Sequence, residues 1–156
     1  MKDKLYIIEN IINLNEMTRS GQIRKETKKI IVCNFFCSDI FRHLNDINKQ
    51  SEKYLSYNFV ILNNGNIINI IPQNEISYST NSIENNLNSI SIGIYCREGE
   101  GLNLEQIINL KLLLKYICKK YNLSLIKDVF IESDLYSTRN FSYYIDNYYL
   151  WQNIIK

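Results

Sequence analysis

The sequence is short of proline, glycine and histidine, and each shortage excludes a class of protein. One proline and five glycines among 156 residues leave no Gly/Pro-rich linker and no low-complexity segment. One histidine, His43, excludes a metal centre built on several imidazoles. A net charge of +2 is too small to favour nucleic acid or an anionic membrane as partner. No apolar run is long enough to span a membrane, and we expect no membrane association.

The four cysteines are few and scattered, so they predict no disulfide framework. They form no CxxC pair and lie in apolar segments, which is typical of small buried thiols: Cys33, Cys37, Cys96 and Cys118. The N-terminus lacks the pattern of a signal peptide, so the expected location is the cytoplasm. The length predicts one domain over residues 1–156, with residues 1–28 forming a helix and an approach loop packed on it.

The strongest pattern is an apolar run of strand length, Ile30–Phe36, inside the segment Lys28–Asp39. Such a run is typical of a strand that is buried on both faces of a sheet. Asn34 interrupts it with an amide, which needs hydrogen-bond partners when it is buried. Asn34 therefore lies either at the open end of the strand, facing a cleft, or inside a satisfied polar network.

The remaining patterns predict an α/β fold with a mixed central sheet flanked by helices. An Asn-Gly turn between apolar runs predicts a hairpin, and Asn103 with Gln106 predicts a capping box. The predicted elements are a helix over Asp3–Asn15, a loop over Thr18–Thr27, the strand Ile30–Phe36, a helix over Ile40–Asn48, hairpin strands Ser56–Leu62 and Asn66–Ile71, a surface loop over Gln73–Asn88, a strand over Ser89–Cys96, a helix over Leu104–Tyr121, a strand over Val129–Ile131 and a closing segment over Tyr148–Ile155.

Several of these segments, in this order, also resemble a known family. They are Thr18-Arg19-Ser20-Gly21, the strand Ile30–Ser38, Ser56–Ile61, Asn64–Ile67, Ile71–Tyr78, Ser91–Ile94, Cys118–Leu123 and Tyr143–Asn147 leading to Trp151. From about Met17 onward the chain resembles the zinc-dependent N-acetylmuramoyl-L-alanine amidases of the type-2 amidase and peptidoglycan-recognition-protein fold, especially clostridial and phage endolysins. The resemblance implies the same α/β fold.

The resemblance also implies where the family's functional residues would lie. A zinc-binding histidine on the buried strand matches Asn34, and a second after the last strand matches Glu132. The third ligand, a cysteine or aspartate, matches Asn140. A catalytic lysine matches Thr138, a further cleft histidine matches Ser79, and the tyrosine that stabilises the transition state is kept as Tyr57.

These replacements predict a catalytically inactive protein with no metal and no cofactor. A hydrolytic zinc centre needs three firm protein ligands and an open position for water. Asn34, Glu132 and Asn140 supply one carboxylate and two neutral amides, and amide oxygens are weak donors to zinc. We expect Asn34, Tyr57, Ser79, Glu132, Thr138 and Asn140 to form a vestigial cleft of hydrogen-bonding groups. Residual amidase activity, with Glu132 as general base and Tyr57 as donor, stays open as an alternative.

Two kinds of binding function fit this prediction. In one, the cleft still holds a muropeptide, as a peptidoglycan-binding module would. In the other, which we favour, the fold binds a protein of the bacterial host. The composition, rich in Asn, Ile, Lys and Tyr, and the endolysin-like resemblance suggest a phage or prophage gene. Such a protein would inhibit host machinery or a host defence system.

Overall fold

The computed structural model describes residues 5–9, 20–36, 56–96, 101–135 and 154, and the strands in these ranges form one mixed sheet. The strand order is β1-β4-β3-β5-β2-β6. The elements are β1 (Ile7–Glu9), β2 (Lys29–Phe36), β3 (Phe59–Ile61), β4 (Ile67–Asn69), α1 (Ile83–Asn88), β5 (Ser89–Cys96), α2 (Leu104–Tyr121), β6 (Val129–Ile131) and α3 (Glu132–Leu135). The predicted fold class, a mixed sheet with flanking helices, is confirmed.

The strand β2 lies inside the sheet, as its apolar run predicted. It pairs in parallel with β5 on one side and with β6 on the other. Its residues Ile30, Ile31, Val32 and Cys33 are all fully buried. Apolar side chains on both faces explain why this stretch has no solvent-facing alternation.

Successive side chains of β2 belong to two separate apolar clusters. Ile30 and Val32 pack with the buried face of α2, on one side of the sheet. Ile31 and Cys33 pack on the opposite side, in a cluster that contains Tyr57. Alternation along the strand therefore decides which residues of β2 can face a given site.

The helix α2 begins and ends as its sequence predicted. Asn103 accepts from the backbone N–H of Gln106, and the Gln106 side chain accepts from the Asn103 N–H, which completes a capping box. The helix ends at Asn122, whose backbone is left-handed with φ 56°. Among the described residues, no helix is both long and apolar enough to cross a membrane.

The predicted hairpin forms, and α2 covers its turn. β3 and β4 pair antiparallel, and Gly65 between them has φ +79°. A Cβ atom on Gly65 would lie 2.9 Å from the Cβ of Glu105 at the start of α2. Gly65 is therefore required both by its backbone conformation and by the close approach of the helix.

Two predicted segments differ in the structure. The helix over Asp3–Asn15 is wrong at Ile7–Glu9, which form the edge strand β1 beside β4. Leu5 and Ile7 pack against the core, a period-two pattern that pairing with β4 favours over the helical period. The predicted surface loop over Gln73–Asn88 is also wrong, because it contains α1 and several buried polar residues.

Other predicted segments lie outside the described residues. These are the helix over Ile40–Asn48 and the closing segment over Tyr148–Ile155, apart from Ile154, which is helical and fully buried. Cys33, Cys96 and Cys118 are buried, as predicted.

Candidate functional site

Glu132 and Cys33 come together at the carboxyl end of β2 and β6. Val32 pairs with Ile131, the last residue of β6, so Glu132 follows at the level of Cys33. The Cys33 thiol donates a hydrogen bond to the Glu132 carboxylate. Leu135, one turn further along α3, packs against the same apolar cluster as Cys33. We call the side chains of Cys33 and Glu132 the Cys33–Glu132 pair.

Burial sets the protonation of the Cys33–Glu132 pair. Burial, together with the nearby Glu132 carboxylate, raises the pKa of the Cys33 thiol well above its ordinary value of 9.0. Burial also raises the pKa of Glu132 above 4.5, and the thiol hydrogen bond lowers it by a smaller amount. Both shifts favour the neutral acid over the anion.

Asn34, the predicted partner of Glu132, lies on the other face of the sheet. It pairs with Ile94 on β5 and continues the face of Ile30 and Val32, the face that α2 covers. Its Oδ1 atom is buried and has no hydrogen-bond partner within the described ranges. The structure therefore brings Glu132 together with Cys33 and not with Asn34.

Of the other predicted cleft residues, Tyr57 and Ser79 lie in the described part of the chain. Tyr57 is buried in the apolar cluster that contains Cys33, so it lies on the side of the sheet that carries the Cys33–Glu132 pair. Ser79 is buried in the 75–80 segment. The backbone N–H of the preceding residue, Tyr78, donates to Ser56 Oγ at 2.9 Å. Thr138 and Asn140 lie outside the described residues.

A buried polar cluster lies beside Tyr57, and sequence reasoning missed it. The fully buried Asn58 Oδ1 accepts from Ser91 N, Ser77 Oγ and Arg24 Nη2, at 3.1, 3.1 and 3.2 Å. Its Nδ2 donates to the Glu75 carbonyl at 3.0 Å. We call these five residues the Asn58 cluster. An asparagine inside the apolar run 57–62 was the only signal for it in the sequence.

The Asn58 cluster buries a cation without making it a reactive group. The Arg24 guanidinium donates to the Gln73 and Glu75 carbonyls at 2.6 and 2.8 Å. Burial lowers the pKa of Arg24 to about 10, and the partial charge of Tyr121 raises it slightly against that trend. Arg24 therefore stays charged at neutral pH, fixed on backbone oxygens. Its role is to hold the 73–75 loop against the sheet.

The described residues do not fit a hydrolytic zinc centre. A thiolate and a carboxylate can each bind zinc, yet a catalytic ion needs three protein ligands. The described ranges contain no group of three His, Cys, Asp or Glu side chains that could hold a metal ion. The Cys33–Glu132 pair supplies two donors, and burial favours their protonated, non-ligating forms.

Solved structures of low sequence identity share this architecture. The catalytic domain of XlyA matches with a TM-score of 0.77 at 19% identity, covering 97% of this chain and 100% of that one. A mutant endolysin from Bacillus subtilis matches with a TM-score of 0.77 at 21% identity, covering 98% and 100%. The N-acetylmuramoyl-L-alanine amidase LysC from Clostridium intestinale matches with a TM-score of 0.63 at 20% identity, covering 86% and 87%. These likenesses show the fold.

The sequence itself places the chain in a family. No curated protein matches it significantly. The family model of the N-acetylmuramoyl-L-alanine amidases, Amidase_2, matches residues 26–140, which include both members of the Cys33–Glu132 pair and the whole Asn58 cluster except Arg24. The chain belongs to the N-acetylmuramoyl-L-alanine amidase family.

Proposed function

We propose that this chain is a catalytically inactive member of the amidase family that works by binding. The observation that carries the proposal is the donor set at the carboxyl end of β2. The side chain that meets Glu132 is a fully buried thiol, and the described residues add no third ligand beside them. A zinc amidase requires three ligands and an open position for water.

The side chains that remain at this position do not replace the missing chemistry. Cys33 is fully buried, and burial raises the pKa of its thiol, so the nucleophilic thiolate is disfavoured. Glu132 engages that thiol through a hydrogen bond rather than standing free as a general base. The surrounding side chains are apolar, with Val60 and Ile71 fully or almost fully buried beside Tyr57. Within the ranges that the structure describes, these side chains therefore do not provide a free general base or an activated nucleophile.

The experiment that tests inactivity is a cell-wall digestion assay. Purified bacterial cell walls are incubated with the chain alone and with added Zn²⁺, Mn²⁺ or Ca²⁺, and soluble fragments are measured. A structurally similar amidase, incubated with the same cell walls, serves as the positive control. We expect no release above the buffer blank with any ion. Metal-dependent release would establish residual amidase activity, and the inactive assignment would be abandoned.

We propose a protein of the bacterial host as the partner, in the sense of an inhibitor of host machinery or of a host defence system. The resemblance implies that the family's cleft groups changed at every matched position except Tyr57, which supports this choice over a muropeptide ligand. The test is co-purification of the tagged chain with a stoichiometric host protein, followed by reconstitution from the two pure components. We expect a one-to-one complex on gel filtration and loss of the partner's activity. Failure of reconstitution would remove this assignment.

The second candidate function is binding of a muropeptide without cleavage. Family membership supports it, since the related proteins are named for the N-acetylmuramoyl-L-alanine linkage. Tyr57, kept where the family carries its tyrosine, supports it as well. Calorimetry with a muramyl tripeptide tests this candidate. Saturable heat that the Tyr57→Phe variant weakens would favour the muropeptide, and absence of heat at millimolar ligand would remove it.

A further inference from the structure

Two buried serine hydroxyls have no part in the cleft or in the Asn58 cluster. Ser79 is 1% exposed and Ser89 is 0% exposed. Neither Oγ atom has a hydrogen-bond partner in the part of the chain that the structure describes. A buried hydroxyl without a partner carries a desolvation cost, and nearly all such groups bond to protein or to ordered water.

One direct contact aligns the two segments that carry these hydroxyls. Ser77 Oγ lies 2.6 Å from Ser91 Oγ, on the side of β5 away from α2. Side chains two residues apart in extended chain point to the same side. Ser79 lies two residues after Ser77 in the same segment, and Ser89 precedes Ser91 on the side of β5 that faces this segment.

A second set of contacts closes the other end of the two segments. The Thr80 backbone N–H donates to Asn86 Oδ1 at 3.0 Å, and Asn86 Nδ2 donates back to the Thr80 carbonyl at 2.8 Å. Ser79 lies just before Thr80, and Ser89 lies three residues after Asn86. The two unpartnered hydroxyls are thus enclosed between two pairs of direct contacts, where the segments run in opposite directions.

We propose that Ser79 Oγ and Ser89 Oγ together bind one buried water molecule, which joins the 75–80 segment to the start of β5. A buried water needs two or more polar partners, and two hydroxyls that both donate and accept provide them. The hydroxyls carry no charge, and the ammonium of Lys29, beside Ser89 in the sheet, is bound to Asn85 Oδ1. These groups suit a neutral molecule rather than an ion.

This site gives Ser79 a role other than the predicted one. As a member of the cleft, Ser79 would present its hydroxyl to a ligand at the carboxyl ends of the strands. The contact of the neighbouring Ser77 with Ser91 instead places this segment beside the first residues of β5, at the amino end. The proposed water would hold the polar 75–80 segment against the sheet at a point where direct hydrogen bonds are missing.

The test is a high-resolution crystal structure of the full chain, together with NMR cross-relaxation between water and the Ser79 and Ser89 amides. We expect one density peak within hydrogen-bond distance of both Oγ atoms, and cross-relaxation typical of a long-lived water. In the Ser79→Ala/Ser89→Ala variant, both signals should be lost. The control is Asn74→Ala, at an exposed side chain of the preceding loop, which should leave both signals in place.

Three outcomes would overturn the proposal. The two hydroxyls could bond directly to each other, each could bond to a backbone carbonyl, or the space between them could be dry. Each result is visible in the wild-type protein, so the proposal is decided even if the double variant does not fold.

Discussion

The Asn58 cluster and the Cys33–Glu132 pair lie on the same side of one sheet, and they differ in how their polar groups are satisfied. Both polar atoms of the Asn58 side chain have partners, which join β3, β5 and the 73–77 segment. At the other end of the strands, Cys33 and Glu132 share a single hydrogen bond in apolar surroundings. The polar groups are densely connected where they hold the fold together. They are sparse at the carboxyl end of β2 and β6, where Cys33 and Glu132 meet.

The difference indicates that fold and chemistry are separable in this family. A densely connected buried polar network specifies one arrangement of the segments around it. The Cys33–Glu132 pair adds a single hydrogen bond, which is a much smaller contribution to the architecture. Family membership therefore gives the fold directly, whereas activity must be argued from the individual side chains.

The largest expected effect is a gain of zinc binding when the donor set is rebuilt on the correct face. The variant Cys33→His/Glu132→His/Asn140→Cys should bind one Zn²⁺ with a Kd at or below about 1 μM, roughly 8 kcal/mol of binding free energy. Metal analysis and competitive titration with a chelator measure it. The matched control, Asn34→His/Glu132→His/Asn140→Cys, should bind far more weakly, because residue 34 faces α2. Equal affinity in the two variants would contradict our placement of β2.

A loss of stability should follow from breaking the Asn58 cluster. Asn58→Leu leaves several buried donors and acceptors without partners, and should lower the free energy of unfolding by about 3 kcal/mol or more. Urea denaturation measures the change. Asn74→Ala, at an exposed side chain of the adjoining loop, is the control and should change stability by less than about 0.5 kcal/mol. A small effect at Asn58 would remove the contrast between the two regions.

Two glycine substitutions test how closely α2 packs on the hairpin turn. Gly65→Ala combines a positive φ with a 2.9 Å approach to Glu105, and should cost about 2 kcal/mol. Gly21→Ala has a similar φ of +65° but open space around it, so about 1 kcal/mol is expected from the backbone alone. Thermal unfolding of both variants measures the difference. Identical losses would show that α2 does not press on the turn.

The smallest effect concerns pH and the Cys33–Glu132 pair. The pKa of Glu132 is raised above 4.5 in the folded state, so the protonated carboxyl is the form that folding favours. Its contribution to stability is fully present below pH 4.5 and is lost as the pH rises through the folded-state pKa. Glu132→Gln, which keeps a hydrogen-bonding side chain but cannot titrate, should flatten this part of the stability profile. An unchanged profile would show that Glu132 titrates normally.

The sequence predicted the long, strongly patterned elements well. The bounds of β5, α2 and β6 agree with the predicted ones, because a continuous apolar run, a capping box and a helical apolar face are local signals. The helix predicted over Ile7–Glu9 was wrong. Leu5 and Ile7 suit a strand as well as a helix, and pairing with β4 decided between the two. The prediction of a surface loop was wrong at the 75–80 segment, because the polar side chains of this segment find hydrogen-bond partners elsewhere in the chain and are buried.

The site was predicted less well, for a reason specific to β2. A strand buried on both faces has no solvent side, so its sequence does not show which of two neighbouring residues faces the cleft. Asn34 was matched to the family's histidine through the resemblance, and Cys33 next to it is the residue that meets Glu132. One residue of register moves a side chain to the opposite face of the sheet. Only the pairing of β2 with β6 resolves that choice.

Zinc titration of the wild-type chain tests whether the protein binds a catalytic metal. The metal-free protein is titrated with Zn²⁺ in a calorimeter, and its bound metal is then measured after dialysis. Our account predicts no saturable heat and no retained zinc, because the Cys33–Glu132 pair lacks a third donor in the described residues and favours its protons. One zinc ion per chain, lost when Cys33→Ala or Glu132→Ala is introduced, would contradict it.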